Sequence, residues 1–178
     1  MPISIDTTKP AVAEAALDAG ANLVNDVWGV AEDDALIRVA AARAAPVVLM
    51  HNRAEARYTD LISEVLDDLR AAIERAMRAG VDREAIIVDP GFGFGKTLDH
   101  NLSLFRGLKT LLEPGYPLLI GVSRKSVIGD VLRRPVARRL AGGLALATLA
   151  AAAGARLVCT HDVAATCDAL AMVAATRD

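Results

Sequence analysis

One pattern recurs along this chain and restricts what it can become: a short apolar run rich in β-formers, a polar residue at its end, then a stretch with helical spacing. The runs read PISIDTT, NLVNDV, PVVLMHN, AIIVDPG, LLIGVSRKS and RLVCTHDV. The spacing predicts strands over 3–6, 23–26, 47–51, 86–89, 118–122 and 157–161, with helices near 11–19, 33–44, 60–79, 99–112, 136–153 and 164–175. The clearest helix is the third, where Leu61, Val65 and Leu69 with Ile62, Leu66 and Ile73 form one apolar stripe opened by Thr59 or Asp60 as a cap. Gly20, Gly80 and Gly154 follow helical stretches where a left-handed C-terminal position favours glycine.

Strands that are apolar almost throughout and alternate with helices imply a parallel sheet covered on both faces. Two architectures meet this, an open doubly wound sheet and a (β/α) barrel. The polar residues fall at the carboxyl ends of all the runs: Asp6, Asn25, His51, Asp89, Ser123 with Lys125, and His161. An open sheet gathers its ligand groups at one switch point, whereas a barrel mouth takes one from each strand. The expectation is therefore an α/β chain forming a TIM-type (β/α) barrel. About six of the usual eight βα units are visible, so the barrel is expected to be incomplete, with residues 1–178 as one domain.

Composition removes several classes of function. With 53% hydrophobic and 24% charged residues the chain can bury a core, and a net charge of -2 provides no field to recruit nucleic acid. Cys159 and Cys167 are too few for a disulfide scaffold and lack zinc spacing, which fits a reducing, cytoplasmic setting. The start has no secretory pattern. The alanine-rich stretch 141–155 is shorter than the roughly 20 residues of a membrane span and reads as a buried helix.

The segment IIVDPGFGFGKT ends a strand on Asp89 and then spends glycine at 91, 93 and 95. A phosphate loop is the first candidate. The GxxxxGK[ST] pattern would need glycine where Pro90 stands, and GxGxxG would need it at Lys96, so both fail by one residue. An isolated Asp-Pro pair would only close a turn. The glycines suggest instead a low floor on which a flat ligand meets the backbone while Asp89 takes its polar edge.

DPGFGFGK, followed by GVSRKSVIG and then by HDV at the last strand, resembles dihydropteroate synthase, the pterin-binding barrel family of folate biosynthesis. SIDTTKPAVAEAALDAGANLVNDV and VVLMHN match the same family, so the resemblance covers essentially the whole chain. It implies a transferase that joins p-aminobenzoate to 6-hydroxymethyl-7,8-dihydropterin diphosphate, releasing diphosphate with Mg²⁺ assistance. The family's first two βα units, with a diphosphate-binding Asn loop and the expected main metal ligand, would precede Met1; no metal ligand is assigned within these residues.

Residue by residue, the resemblance gives Asp6, Asn25 and Asp89 to the pterin, and their acceptors complement its amine and ring N–H donors. Alone, Asp6 or Asn25 would cap a helix or close a turn. Lys125, otherwise a solvated charge, would donate to the pterin carbonyl, and Ser123 would lie near the p-aminobenzoate. Gly93, Phe94 and Gly121 join the substrate-binding set, Phe94 as packing at its border. Lys125 and His161 are the catalytic candidates; His161 either contacts the diphosphate or pairs with Asp162. Arg124 is a weaker candidate, Lys96 ties down its own loop or touches ligand, and His51 makes a supporting hydrogen bond.

One position departs from the family. Where its last strand reads Arg-Val-His-Asp, this chain has Cys159-Thr160-His161-Asp162, and Arg156 falls on the wrong side of the strand to substitute. That leaves a catalytically silent or truncated pterin-binding relative as a rival reading. A methyl-carrying pterin domain is a second, against which the SRKS segment speaks. The expected partners are the two small substrates, neither nucleic acid nor membrane, with a homodimer through the alanine-rich helix.

Overall fold

A computed structural model describes residues 1–176. Six strands alternate with helices: β1 (Ser4–Asp6), α1 (Pro10–Asp18), β2 (Leu23–Asp26), α2 (Ala35–Ala42), β3 (Val47–Met50), α3 (Leu61–Arg78), β4 (Ile86–Asp89), α4 (Leu98–Arg106), α5 (Leu108–Leu112), β5 (Leu119–Gly121), α6 (Ser126–Leu132), α7 (Leu140–Ala153), β6 (Leu157–Cys159) and α8 (Val163–Ala175). All pairing is parallel, β1 through β4 in one sheet and β5 with β6 in a second. A bridge between Val88 and Leu118 joins the two. Strand order thus follows chain order, without the reversal that creates a switch point in a doubly wound sheet. Among the described residues β1 and β6 each pair on one side only, so no closed barrel is seen.

Alternation sorts each strand's side chains. Leu23 and Asn25, Val48 and Met50, and Leu119 and Gly121 turn to one side and line a common cavity. Val24, Val47, Leu49, Ile86, Val88 and Ile120 turn to the other and are buried in the core. The main helical contribution to that core is α3. Asp60 opens it by accepting the Ser63 N–H at 3.2 Å, and Val65, Leu66, Leu69, Ala72, Ile73 and Ala76 form its buried stripe. Truncating Leu69 to Ala would cost about 2–5 kcal/mol through lost burial and the void left behind. Gly80 ends the helix at φ +97, a conformation unfavourable for side chains with a Cβ.

Three elements differ from the sequence expectation. The helix expected over 99–112 breaks at Gly107 into α4 and α5, where a Cβ would lie 2.6 Å from Ile62 Cδ1 on the neighbouring α3. The segment after β5 forms α6, which the alternation of runs did not show. It is only seven residues long and carries Gly129, whose missing Cβ leaves room for the Arg139 guanidinium. The stretch 141–155 is not a buried helix: in α7 only Ala147 and Ala150 are buried and Leu149 is 61% exposed. It lies on the outside of the β5–β6 pair, packed mainly on α8. No helix among the described residues is long and apolar enough to cross a membrane.

Candidate active site

The cavity, about 570 Å³, opens at the carboxyl ends of the strands. Asp6, Asn25, Asp89, Phe94, Gly121, Ser123, Lys125, His161 and Cys159 all line it, over walls supplied by Val48, Leu119 and Leu157. Six strands thus bring together residues spread from 6 to 161.

At one end, Asp6 and Asn25 are cross-strand partners, and the Asn25 amide donates to Asp6 Oδ2 at 3.1 Å. Asp89 closes β4. It is buried, 6% exposed, and one carboxylate oxygen accepts the Gly91 N–H at 2.7 Å. Burial raises its pKa to about 6, opposed by that hydrogen bond and by the Lys125 and Lys96 charges. Lys125 reaches in from the start of α6. Its ammonium donates to the Phe92 carbonyl and lies 4.6 Å from the centre of the Phe94 ring. Burial pulls its pKa below the ordinary lysine value, offset in part by Asp89.

The glycines of the loop lie close against neighbouring parts of the chain. A Cβ on Gly91 would lie 1.8 Å from the His51 carbonyl oxygen, and one on Gly95 would lie 2.3 Å from that of Arg53. The glycines therefore let the loop lie flat on the backbone leaving β3. Gly93 stands back from the cavity, and its bare Cα makes room for the Lys125 stem, 3.1 Å from where a Cβ would be. Phe94 is the loop residue that reaches the cavity wall. Asn101, 2% exposed, fixes the turn by accepting the Gly93 N–H at 2.7 Å, and the Tyr58 hydroxyl donates to the Gly95 carbonyl at 2.9 Å.

His51, fully buried, stands 3.1 Å from Asp68 on one side and 2.9 Å from the Lys96 ammonium on the other, a supporting role outside the cavity. Lys96 is tied to its own loop through the Phe94 carbonyl at 3.0 Å. Asn101, Asp68 and Tyr58 were missed in sequence; each lies on or beside a helix, where nothing separates a loop-fixing polar residue from a solvated one.

The other end is open. His161 Nδ1 lies 3.0 Å from Ser123 Oγ, which also accepts the His161 backbone N–H at 3.2 Å. Asp162 feels the His161 charge, but the close partner of His161 is Ser123. The Asp162 carboxylate is taken by Arg124, with contacts of 2.7 and 3.2 Å, because Arg124 adopts a left-handed backbone at φ +61 that turns it toward the α8 start. Cys159 is exposed at the rim, near Lys125, while Arg156 does not line the cavity. Among the described residues no three His, Cys, Asp or Glu side chains gather to hold a metal ion.

Fold and site together define a parallel α/β protein whose strand ends surround a cavity bearing two carboxylates, an amide and an ammonium. Residues 1–161 match the family described as pterin binding enzyme, and the chain belongs to it. It is 49% identical over 145 residues to dihydropteroate synthase of Clostridium beijerinckii, covering 82% of this chain and 54% of that protein. With the Bacillus subtilis dihydropteroate synthase identity is 44% over 163 residues, covering 92% and 57%. The chain thus spans little more than half the length of these relatives.

Solved structures agree. A dihydropteroate synthase from Clostridium difficile, crystallised in the presence of pteroic acid, superposes with a TM-score of 0.96 at 42% identity over 100% of this chain and 68% of that one. The Thermus thermophilus enzyme in complex with 6HMPPP gives 0.94 at 43% identity, over 99% and 71%. Its complex with 4-aminobenzoate gives 0.94 at 41% identity, over the same shares.

Proposed function

We propose that these residues form the pterin- and arylamine-binding part of a dihydropteroate synthase. The observation that carries this is the convergence of Asp6, Asn25, Asp89 and Lys125 on one cavity, with Asp89 buried at its base. A pterin edge presents an amine and ring N–H donors beside a carbonyl acceptor. Asp89 and Asp6 accept from the former, Asn25 donates to Asp6 and offers its own amide to the same edge, and Lys125 donates to the latter. With a pKa of about 6, Asp89 is mostly ionised at neutral pH, as that role requires. Phe94 and Gly121 line the remaining wall, Gly93 stands behind it and makes room for the Lys125 stem, and the p-aminobenzoate takes the Ser123 side.

In the reaction the bond between the pterin methylene and the diphosphate oxygen breaks first, the electron pair leaving with the diphosphate. The arylamine nitrogen then bonds to the cationic methylene and loses a proton. No side-chain nucleophile is needed; the carboxylates favour the developing cation, and His161 and Lys125 face the departing anion. Mg²⁺, when bound, would offset the charge of the departing diphosphate; among the described residues no three His, Cys, Asp or Glu side chains gather to hold it.

The parallel strands in sequential order support six units of a TIM-type (β/α) barrel. The outward apolar residues Leu149, Val163 and Met172 support a homodimer through α7 and α8, and the two free cysteines suit the cytoplasm. Product formation from both substrates with Mg²⁺ tests the main reading. Cys159, standing at the rim where the resemblance expects an arginine, supports a second, a silent pterin binder. Steady turnover favours the synthase; pterin binding without product favours the silent relative.

A further inference from the structure

We propose that Lys96 is a positioning residue for the pterin, acting through the loop it latches and the carboxylate it faces rather than by touching the ligand. The inference rests on the pterin reading above. Lys96 does not line the cavity, yet its ammonium joins three parts of the cavity floor. It donates to the Phe94 carbonyl at 3.0 Å and so sets the loop residue whose ring forms the wall. It donates to His51 Nδ1 at 2.9 Å, at the exit of β3. It lies 3.2 Å from where a Cβ on Gly91 would be, behind the turn whose N–H holds Asp89.

The direction of these bonds follows from donor chemistry. An ammonium only donates, so His51 Nδ1 must accept; the imidazole proton is then on Nε2, which donates to Asp68 Oδ2 at 3.1 Å. Asp68 in turn accepts from Arg53 at 2.8 Å, and Arg53 also holds Glu64 at 2.6 Å. The chain from Arg53 to Lys96 is thus satisfied only with neutral His51. Burial, then the Lys96 charge, holds the His51 pKa down to about 4, with Arg53 adding to this and Asp68 opposing it. Lys96 itself is lowered to about 7 by burial, with Arg53 and Lys125 acting in the same direction and Asp89 and Asp68 against it.

Asp89 therefore faces two ammonium groups, Lys125 from the cavity and Lys96 from behind the loop. Two separable roles follow for Lys96: a mechanical latch through His51 and Phe94, and a charge, held below its own pKa of about 7, that keeps Asp89 ionised.

Calorimetric titration with 6-hydroxymethylpterin across pH 5–8 separates them. In Lys96→Met the affinity at pH 6, where Lys96 is charged, should fall about tenfold, the scale of one lost charge-assisted bond, and the pH at which binding fails should rise by about one unit. In His51→Gln, which keeps a donor for Asp68 but removes the Nδ1 acceptor, affinity should fall while that pH stays put. Imidazole nitrogen shifts of the unmodified protein, which need no variant, should show neutral His51 with its proton on Nε2. Unchanged affinity or an unmoved pH midpoint in Lys96→Met, a shifted midpoint in His51→Gln, or a proton on Nδ1 overturns the proposal. Absence of pterin binding by the unmodified protein would instead overturn the reading on which it rests.

Discussion

Asp89 and His161 line the same cavity, but the first is enclosed by a fixed network whereas the second stands in the open. Around Asp89, β3 is buried along its whole length, His51 is fully buried, and Lys96, Asn101 and Tyr58 tie the glycine loop to its neighbours. Around His161, Cys159 and Arg124 are exposed, and α7 and α8 bury only Ala147, Ala150 and Thr166. Site geometry is therefore set before binding around Asp89, while Asp6, exposed on the edge strand β1, and the end proposed for the anion are left adjustable. A rigid, dry floor suits a flat ring recognised by a few directed hydrogen bonds; an exposed rim gives anion contacts that water and salt weaken.

The comparison breaks most readily at Asp89. Asp89→Asn keeps the size but sets an amide donor against the pterin's donors, so affinity should fall by more than about a hundredfold in calorimetry while the fold is retained. The pH profile gives the next largest effect. Because Asp89 titrates at about 6, the binding constant should drop about tenfold for each pH unit below that value. The effect on folding has the opposite sign: the folded state holds this proton more tightly than the unfolded chain, whose value is 3.8, so acidification from about 6 toward 3.8 favours the fold at this residue as it removes binding.

At the open end the expected effects are smaller. Cys159→Arg should add a forked cation at the rim and tighten the diphosphate-bearing pterin several-fold, leaving 6-hydroxymethylpterin itself unchanged. Equal gains for both ligands would mean that the new arginine stacks on the ring instead. Asp162→Asn should leave the melting temperature within error of the parent, since its pair with Arg124 is exposed. A clear loss would show that the rim is as firmly built as the floor.

Much of this was legible in the sequence because the strand ends announce themselves. An apolar run that stops at Asp, Asn or His places that side chain at the same edge of a parallel sheet, and all six strands appear within a residue or two of the expected places. The purpose of the glycines was not legible. Close approach to a ligand and close approach to a neighbouring segment demand the same missing Cβ, and only coordinates show His51 and Arg53 on the far side. The partners at the open end were hidden for a similar reason: His161 and Asp162 are adjacent in sequence, but Ser123 meets the first and Arg124 turns into the second, each 38 residues away. The exposure of α7 could not be read from an all-apolar helix, whose composition is the same whether it faces a core or another surface.

If the enclosed end recognises the pterin without help from the exposed one, three ligands should separate in calorimetry at fixed salt and pH 7.5, a working value above the Asp89 pKa of about 6. They are 6-hydroxymethylpterin, its diphosphate and inorganic diphosphate. The pterin alone should bind, its diphosphate should add less than about tenfold, and inorganic diphosphate alone should be weaker than either. Tight binding of inorganic diphosphate with none of the diphosphate-free pterin would place recognition at the open rim and refute the division of labour between the two ends.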